Sequence, residues 1–144
     1  MPKRERYKLP VAVFVILKNS DDQILLIKRA NTGWMDGFYS LPAGGLEDIE
    51  PLNVAAAREL KEEVDVEVDP DCLQLAHVLH ANINDEKWLG YFFIAPSWIG
   101  EPRVNEPEKH SEVKWVNLLE LPENIIPYVK QALESKNLYS NFGW

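Results

Sequence analysis

The spacing of apolar positions changes along the chain and predicts the order of its strands and helices. Residues 11–17 and 23–28 are short runs rich in Val, Ile and Leu, and the polar segment 19–22 between them predicts a hairpin. Shorter or more interrupted runs of the same kind predict further strands. These further predicted strands are residues 38–41, 73–80, 88–95 and 113–116.

Two segments instead have the spacing of amphipathic helices. In residues 51–64 apolar side chains recur every fourth position, from Leu52 to Val64, and Pro51 suits the first helical turn. Residues 124–135 have a similar apolar side. Strands lie before and after the first helix, and the second helix comes near the end. This order predicts an α+β fold in which helices flank a mixed sheet.

The connecting segments carry the glycines and several exposed aromatic residues. Segment 31–37, which includes Trp34, and the glycine-containing segment 42–50 are predicted to be loops. The last six residues, 139–144, are unusually aromatic for a chain terminus. We expect this tail to dock either on the body of the protein or on a partner.

Composition narrows the class of protein. With 144 residues, 46% of them apolar, the chain is expected to form one domain over residues 1–144 with a substantial core. Its single cysteine, Cys72, excludes an intrachain disulfide and suits a reducing compartment. No apolar run approaches the roughly 20 residues that span a membrane. We therefore expect a cytoplasmic protein without a membrane partner; a homodimer stays open.

The net charge argues against one large class of partners. A formal charge of −8 gives no general attraction to the phosphate backbone, so a module that binds duplex nucleic acid is not expected. A small phosphorylated ligand remains compatible with this charge, because carboxylates bind divalent cations and those cations bind phosphate oxygens.

The candidate chemistry lies in the first predicted helix. Glu59, Glu62 and Glu63 share one helix face, where like charges repel by about a few tenths of a kcal/mol per pair. A divalent cation would remove that repulsion. Oxygen ligands, with no His or Cys nearby in the sequence, favour Mg²⁺ or Mn²⁺ over Zn²⁺. The alternative is that these glutamates form a solvated helix face. The glycine turn at 42–45 leads into the same helix, and its backbone can approach a ligand closely, which favours the cation site.

Eight positions match the Nudix box: Gly, five residues, Glu, seven residues, then Arg-Glu-aliphatic-x-Glu-Glu-x-Gly-aliphatic. The matching residues are Gly44, Glu50, Arg58, Glu59, Leu60, Glu62, Glu63 and Val66. The whole chain resembles a Nudix hydrolase domain, particularly the MutT-type nucleotide pyrophosphohydrolases. Asp65 replaces the second glycine of the box, and Asp tolerates the left-handed conformation expected there. Ile49 replaces a common glycine, which affects loop shape only.

The resemblance implies a Nudix fold, an α/β/α sandwich, and roles for residues of this chain. The implied metal ligands for Mg²⁺, or alternatively Mn²⁺, are Glu59, Glu62, Glu63, Glu106 and the carbonyl of Ala43. The implied structural residues of the box are Gly44, Glu50 and Arg58. The implied substrate contacts are Arg29, Gly44, Trp34 and Asn124. The general base is expected among Glu62, Glu63, Glu106, Glu108 and Glu112.

Each substrate contact also has a simpler interpretation. Arg29 at a strand end is equally explained as a surface cation, Trp34 as a packing anchor, and Asn124 as a helix N-cap. His77 and His80 lie three apart on a predicted strand and therefore point to opposite faces, so neither is expected to bind metal.

The implied reaction is Mg²⁺-dependent hydrolysis of a diphosphate linkage in a nucleoside triphosphate, with oxidised or non-standard nucleotides as candidates. The alternatives keep the chemistry and change the substrate to a nucleotide sugar, ADP-ribose or a dinucleotide. A non-catalytic domain that senses nucleotides would be expected to lack some of the glutamates, which are all present. An isomerase acting on a prenyl diphosphate would be expected to show further acid and cysteine chemistry.

Overall fold

Two sheets lie between two helices. A computed structural model describes residues 4–144. Its elements are β1 (Val11–Leu17), β2 (Gln23–Arg29), β3 (Tyr39–Ser40), β4 (Ala43–Gly45), α1 (Leu52–Val64), β5 (Gln74–Ile83), β6 (Glu86–Ala95), β7 (His110–Asn117), α2 (Pro127–Glu134) and β8 (Tyr139–Phe142), with short 3₁₀ helices at Pro70–Cys72 and Leu118–Glu120. Within residues 4–144, no helix combines the length and apolar character needed to cross a membrane.

The larger sheet is mixed and the smaller one is antiparallel. The larger sheet has the strand order β4-β1-β6-β5-β8, in which β1 is parallel to β6 and β5 is parallel to β8. The smaller sheet has the order β3-β2-β7 with antiparallel pairs throughout. The predicted α+β class is confirmed, although the strands form two sheets where one was expected.

The predicted hairpin of β1 and β2 is wrong beyond its turn. The side-chain oxygen of Asn19 accepts the backbone N–H groups of Asp21 and Gln23 at 3.0 and 2.9 Å, and Lys18 forms a single bridge with Ile24. The two strands then enter different sheets. The polar turn was a correct prediction, but both strands are apolar on both faces, so each is covered on two sides instead of exposing one side of a ribbon.

Side chains of β1 alternate between two cores. Val13 and Val15 pack in one cluster with Leu60 of α1. Phe14 points the other way and packs in a second cluster with Val129 of α2. Successive strand residues point to opposite faces, so one strand contributes to both cores. The result is an α/β/α sandwich, as the resemblance implied.

Several element boundaries differ from the prediction. The glycine segment contains the short strand β4, and α1 begins at Leu52 with Pro51 as its N-cap. The helix α2 begins only at Pro127, so the interpretation of Asn124 as a helix N-cap is wrong. The cause is tertiary: the Asn124 carbonyl accepts the N–H of Tyr39 at 2.8 Å, which extends the chain beside β3.

The central hairpin is longer than its apolar pattern. Strands β5 and β6 run past the predicted ends at 80 and 88 and meet at Asn84 and Asp85, which have φ angles of 53° and 64°. Two left-handed residues form the tight turn that matches strand twist. The residues at this end are mostly polar, so the apolar pattern ended before the strands did.

The aromatic tail docks on the body of the protein. Strand β8 adds to the edge of the larger sheet, parallel to β5. The indole N–H of Trp144 donates to the carbonyl of His80 at 3.1 Å, and the two rings lie 4.6 Å apart. A Cβ at Gly143 would collide with the carbonyl of Asn82, so the last turn fits against β5 only with glycine.

Leu60 tests the core between α1 and the sheets. Its side chain is fully buried, so Leu60→Ala should lower the free energy of unfolding by about 2–5 kcal/mol through lost burial and a cavity. Leu119, which is 92% exposed, offers the control Leu119→Ala, expected within about 0.5 kcal/mol of wild type. Urea denaturation of both variants checks this; equal losses would contradict the packing described.

Candidate active site

Glu63 lies on the buried face of α1, although the helix is acidic on its exposed side. Glu63 is only 8% exposed, because it falls one turn after Leu60 and next to Val64 in the apolar stripe. The backbone N–H of Ala43 donates to its Oε1 at 2.5 Å. The pKa of Glu63 is raised to about 8, mainly by burial and also by the charges of Glu59 and Glu106, while the Ala43 hydrogen bond acts in the opposite direction.

Glu59 is held against the glycine of β4. A Cβ at Gly44 would overlap the Glu59 carboxyl group, whereas a Cβ at Gly45 would meet nothing within 4 Å. Burial raises the pKa of Glu59, and its ion pair with Arg58 acts in the opposite direction. Gly44 therefore leaves room for the Glu59 carboxylate in this position, which supports its predicted role in the box.

Arg58 joins the acidic residues of the box. Its guanidinium donates to both oxygens of Glu50, at 2.6 and 3.0 Å, and to Glu59 at 2.8 Å. It also lies 3.4 Å from Glu62 and donates to the carbonyl of Gly45 at 3.2 Å. The pKa of Glu50 is lowered mainly by this pairing. The contacts agree with the structural roles predicted for Glu50 and Arg58.

A histidine that is distant in the sequence lies beside the acidic cluster. One side-chain ligand atom each from Glu63, Glu106 and His110 lies within 4.8 Å of the other two. His110 Nε2 is 3.3 Å from Glu63 Oε2. Strand β7 begins at His110 and pairs it with Arg29 of β2, and this long-range pairing is invisible in the local sequence.

The turn before β7 places Glu106 beside His110. The carbonyl of Glu106 accepts the N–H groups of Lys109 and His110 at 2.9 and 3.0 Å. Burial, together with the charges of Arg29 and Lys109, lowers the pKa of His110 and favours its neutral form. The four-residue spacing of Glu106 and His110 was the signal available in the sequence.

Asn105 fixes this turn to the end of α1. Its side-chain amide donates to the carbonyl of Glu62 at 3.0 Å and its backbone N–H donates to that of Glu63 at 3.1 Å. These are carbonyls that the last helical turn leaves without partners. Asp65 ends the helix in the left-handed conformation expected of it, with φ 59° and ion pairs to Lys61 and Arg103 at 3.0 Å each.

A cavity of about 760 Å³ opens beside the cluster. Glu63, His110 and Ala43 line it beside the cluster, and Trp88 and Tyr128 also line it. Arg29, Trp34 and Gly44, three of the predicted substrate contacts, are further lining residues. The volume is in the range of pockets that bind small molecules. Acidic, basic and aromatic side chains therefore share one cavity.

Arg29 and Trp34 are linked to each other in the cavity wall. Arg29 Nε donates to the Trp34 carbonyl at 2.9 Å, and one terminal nitrogen donates to the Thr32 hydroxyl at 3.0 Å. The guanidinium lies 4.9 Å from the Trp34 ring centroid, and that ring stacks on Tyr128 at 6.4 Å. Trp34 is thus a packing residue that also presents a surface to the cavity, where it is 40% exposed.

The remaining predicted site residues are more dispersed. Asn124 lies outside the cavity lining, and its side-chain amide donates to the Gly37 carbonyl at 2.8 Å. Its role in base recognition stays a prediction. Glu112 accepts the Tyr39 hydroxyl at 2.6 Å and pairs with Lys28, which ties it to the smaller sheet. Glu62 stays at the surface beside Arg58, with its side chain 47% exposed.

The donors present fit a divalent cation. Several carboxylates meet beside a backbone that approaches closely, and the most buried of them has a strongly raised pKa. A cation at this point would compensate the buried charge of Glu63 and the repulsion from Glu59 and Glu106, which together raise that pKa. The residues able to hold it are Glu59, Glu62, Glu63, Glu106, His110 and the carbonyl of Ala43.

Comparison with known proteins agrees with this geometry. The NUDIX domain model matches residues 8–138, so the chain belongs to the Nudix family. It is 28% identical over 129 residues to 8-oxo-dGTP diphosphatase of Escherichia coli, covering 90% of this chain and 95% of that protein. It is 27% identical over 139 residues to an RNA pyrophosphohydrolase of Novosphingobium aromaticivorans, covering 83% and 84% of the two chains.

A solved structure extends the comparison to the fold. The crystal structure of the MutT Nudix hydrolase from Burkholderia pseudomallei is 30% identical and has a TM-score of 0.80, covering 91% of this chain and all of that one (100%). The predicted family and the predicted enzyme class, a Nudix hydrolase, are confirmed.

Gly44 and Gly45 offer a matched pair of substitutions. Gly44→Ala should lower the hydrolysis rate by about 100-fold, because the added Cβ displaces the Glu59 carboxylate and small misplacements in active sites cost that much. Gly45→Ala adds the same group into open space and should change the rate only a few-fold. Steady-state assays with matched thermal melts check this. Equal rates for the two folded variants would contradict the contact.

Proposed function

We propose that this protein hydrolyses a diphosphate linkage in a nucleoside triphosphate or a related nucleoside diphosphate derivative, with Mg²⁺ as its cofactor and Mn²⁺ as an alternative. The observation that carries the proposal is the cavity that Glu63 and His110 of the acidic cluster line together with the aromatic side chains of Trp88 and Tyr128. A nucleotide offers groups that match both, a charged phosphate chain and a flat base.

The glutamates would hold the cation and the cation would meet the phosphates. When bound, a divalent cation offsets charge on phosphate oxygens and lowers the pKa of water. The backbone N–H of Ala43 donates to Oε1 of Glu63, so Oε2 is the oxygen available to bind the cation. Arg58 donates to the carboxylate of Glu59 at 2.8 Å, which orients it and opposes the rise that burial causes in its pKa.

Two residues support transfer of the proton and binding of the phosphates. We place the general base at Glu62, because its carboxylate stays in contact with solvent whereas Glu63 is buried beside Ala43 and His110. Arg29 uses two of its three nitrogens within its own loop. The remaining N–H groups of its planar fork suit phosphate oxygens.

The substrate class rests on charge and on the relatives. The name of the Escherichia coli relative supports an oxidised nucleoside triphosphate as the substrate. A long RNA is disfavoured by the charge of −8, although a second relative is named for that activity. The single-domain organisation over residues 1–144, the cytoplasmic location and a homodimer remain predictions.

Glu59 provides the test of catalysis. Glu59→Gln should lower turnover by several orders of magnitude while the protein stays folded, because it removes a charged ligand without changing its shape. Glu67→Gln, at an exposed site just past the helix, is the control and should keep wild-type turnover. Hydrolysis is measured with Mg²⁺ on both variants. Near-normal turnover by the folded Glu59 variant would overturn the proposal.

A substrate panel tests the class of nucleotide. With Mg²⁺, we expect the highest kcat/KM for standard or oxidised nucleoside triphosphates, because their unesterified phosphate chain suits a cation held at Glu63 and Glu106 while their base suits the aromatic side chains of the cavity. The panel also contains ADP-ribose, dinucleoside polyphosphates and nucleotide sugars. A clear preference for any of those three would contradict the triphosphate assignment and leave the chemistry in place.

A further inference from the structure

His110 has an environment that its sequence position does not explain. Its side chain is only 4% exposed, yet its Nδ1 has no hydrogen-bond partner among residues 4–144. Its Nε2 has one polar neighbour, Glu63 Oε2, at 3.3 Å. The ring nitrogen that faces the carboxylates is Nε2, so its contact with Glu63 is the observation that points to a shared ion. The other two histidines of the chain, His77 and His80, lie on β5.

The spacing of His110 and its neighbours matches the ligands of one ion. Metal ligands lie about 2.0–2.2 Å from an ion, so donor atoms that share it are about 3 to 4.4 Å apart. The distance from His110 Nε2 to Glu63 Oε2 falls in that range. Glu106 contributes an oxygen within the same small group. Two carboxylate oxygens and one imidazole nitrogen therefore lie within 4.8 Å of one another.

We propose that His110 is a direct ligand of the cation bound by Glu63 and Glu106, and that this triad selects a transition-metal dication such as Mn²⁺ over Mg²⁺. Imidazole nitrogen binds transition metals well, whereas Mg²⁺ is bound almost entirely by oxygen. Glu59 and Glu62 are paired with the Arg58 guanidinium and are not part of the group around His110, so they remain the oxygen ligands suited to Mg²⁺. The inference rests on the proposed function only for the presence of a divalent cation.

Pulsed electron paramagnetic resonance of Mn²⁺ tests the ligand directly. Mn²⁺ bound to the full-length wild-type protein should show coupling to an imidazole ¹⁴N, and the signal should change to that of ¹⁵N when histidine alone is isotope-labelled. This measurement needs no variant, so a folding defect cannot obscure it. Bound Mn²⁺ without any histidine nitrogen coupling would overturn the proposal.

Two histidine variants test the selectivity. His110→Gln should abolish the nitrogen coupling and lower Mn²⁺ affinity about ten-fold or more, as even indirect metal contacts are worth that much, while Mg²⁺ affinity changes less. His80→Gln is the control, because His80 also has an unpartnered Nε2 but lies on β5 beside Trp144. It should behave as wild type. An unchanged ratio of Mn²⁺ to Mg²⁺ affinity in folded His110→Gln would contradict the selectivity.

Hydrolysis assays separate this inference from the proposed function. If the wild-type protein hydrolyses nucleotides with Mg²⁺ but shows no histidine coupling, the role of His110 is wrong and the proposed function stands. If the coupling is present but no cation supports hydrolysis of any nucleotide in the panel, the metal site stands and the proposed function is wrong.

Discussion

Repulsion between carboxylates is the constraint on which the site depends, and Arg58 is the group that limits it. One guanidinium contacts Glu50, Glu59 and Glu62 at the same time. Without the positive charge of Arg58, the acidic face of α1 would be destabilised by like charges placed one turn apart. Arg58 acts on the outer side of the cluster only. Glu63, on the inner side, is left with backbone and imidazole contacts, and that is the side where a metal ion is needed.

Two packed cores make a buried carboxylate tolerable. Burying Glu63 costs free energy, and the alternating side chains of β1 and β2 offset it by filling both sides of the sheets. The same packing brings β4 against α1, where a Cβ at position 44 would occupy the space of the Glu59 carboxylate. The free-energy cost of the buried carboxylate is thus offset by packing in the sandwich, which is the usual relation between an active site and its scaffold.

Sequence patterns within short segments predicted the parts of this protein whose structure those segments determine. The four-residue spacing of apolar side chains identified α1, and the tolerance of Asp for left-handed backbone anticipated Asp65. Parts decided by pairing between distant segments were missed. His110 joins the cluster through the β2–β7 register, α2 starts late because the chain pairs with Tyr39, and the sheets separate β1 from β2. Periodicity along a chain carries no information on which strands become neighbours.

Calorimetric titration of the wild-type protein with Mg²⁺ and Mn²⁺, alone and with a non-hydrolysable nucleoside triphosphate analogue, tests the central claim most directly. The account predicts saturable uptake of cation, stronger in the presence of the analogue because cation and phosphates share the same end of the cavity. Absence of uptake for both cations, with and without the analogue, would contradict a cation site at this acidic cluster.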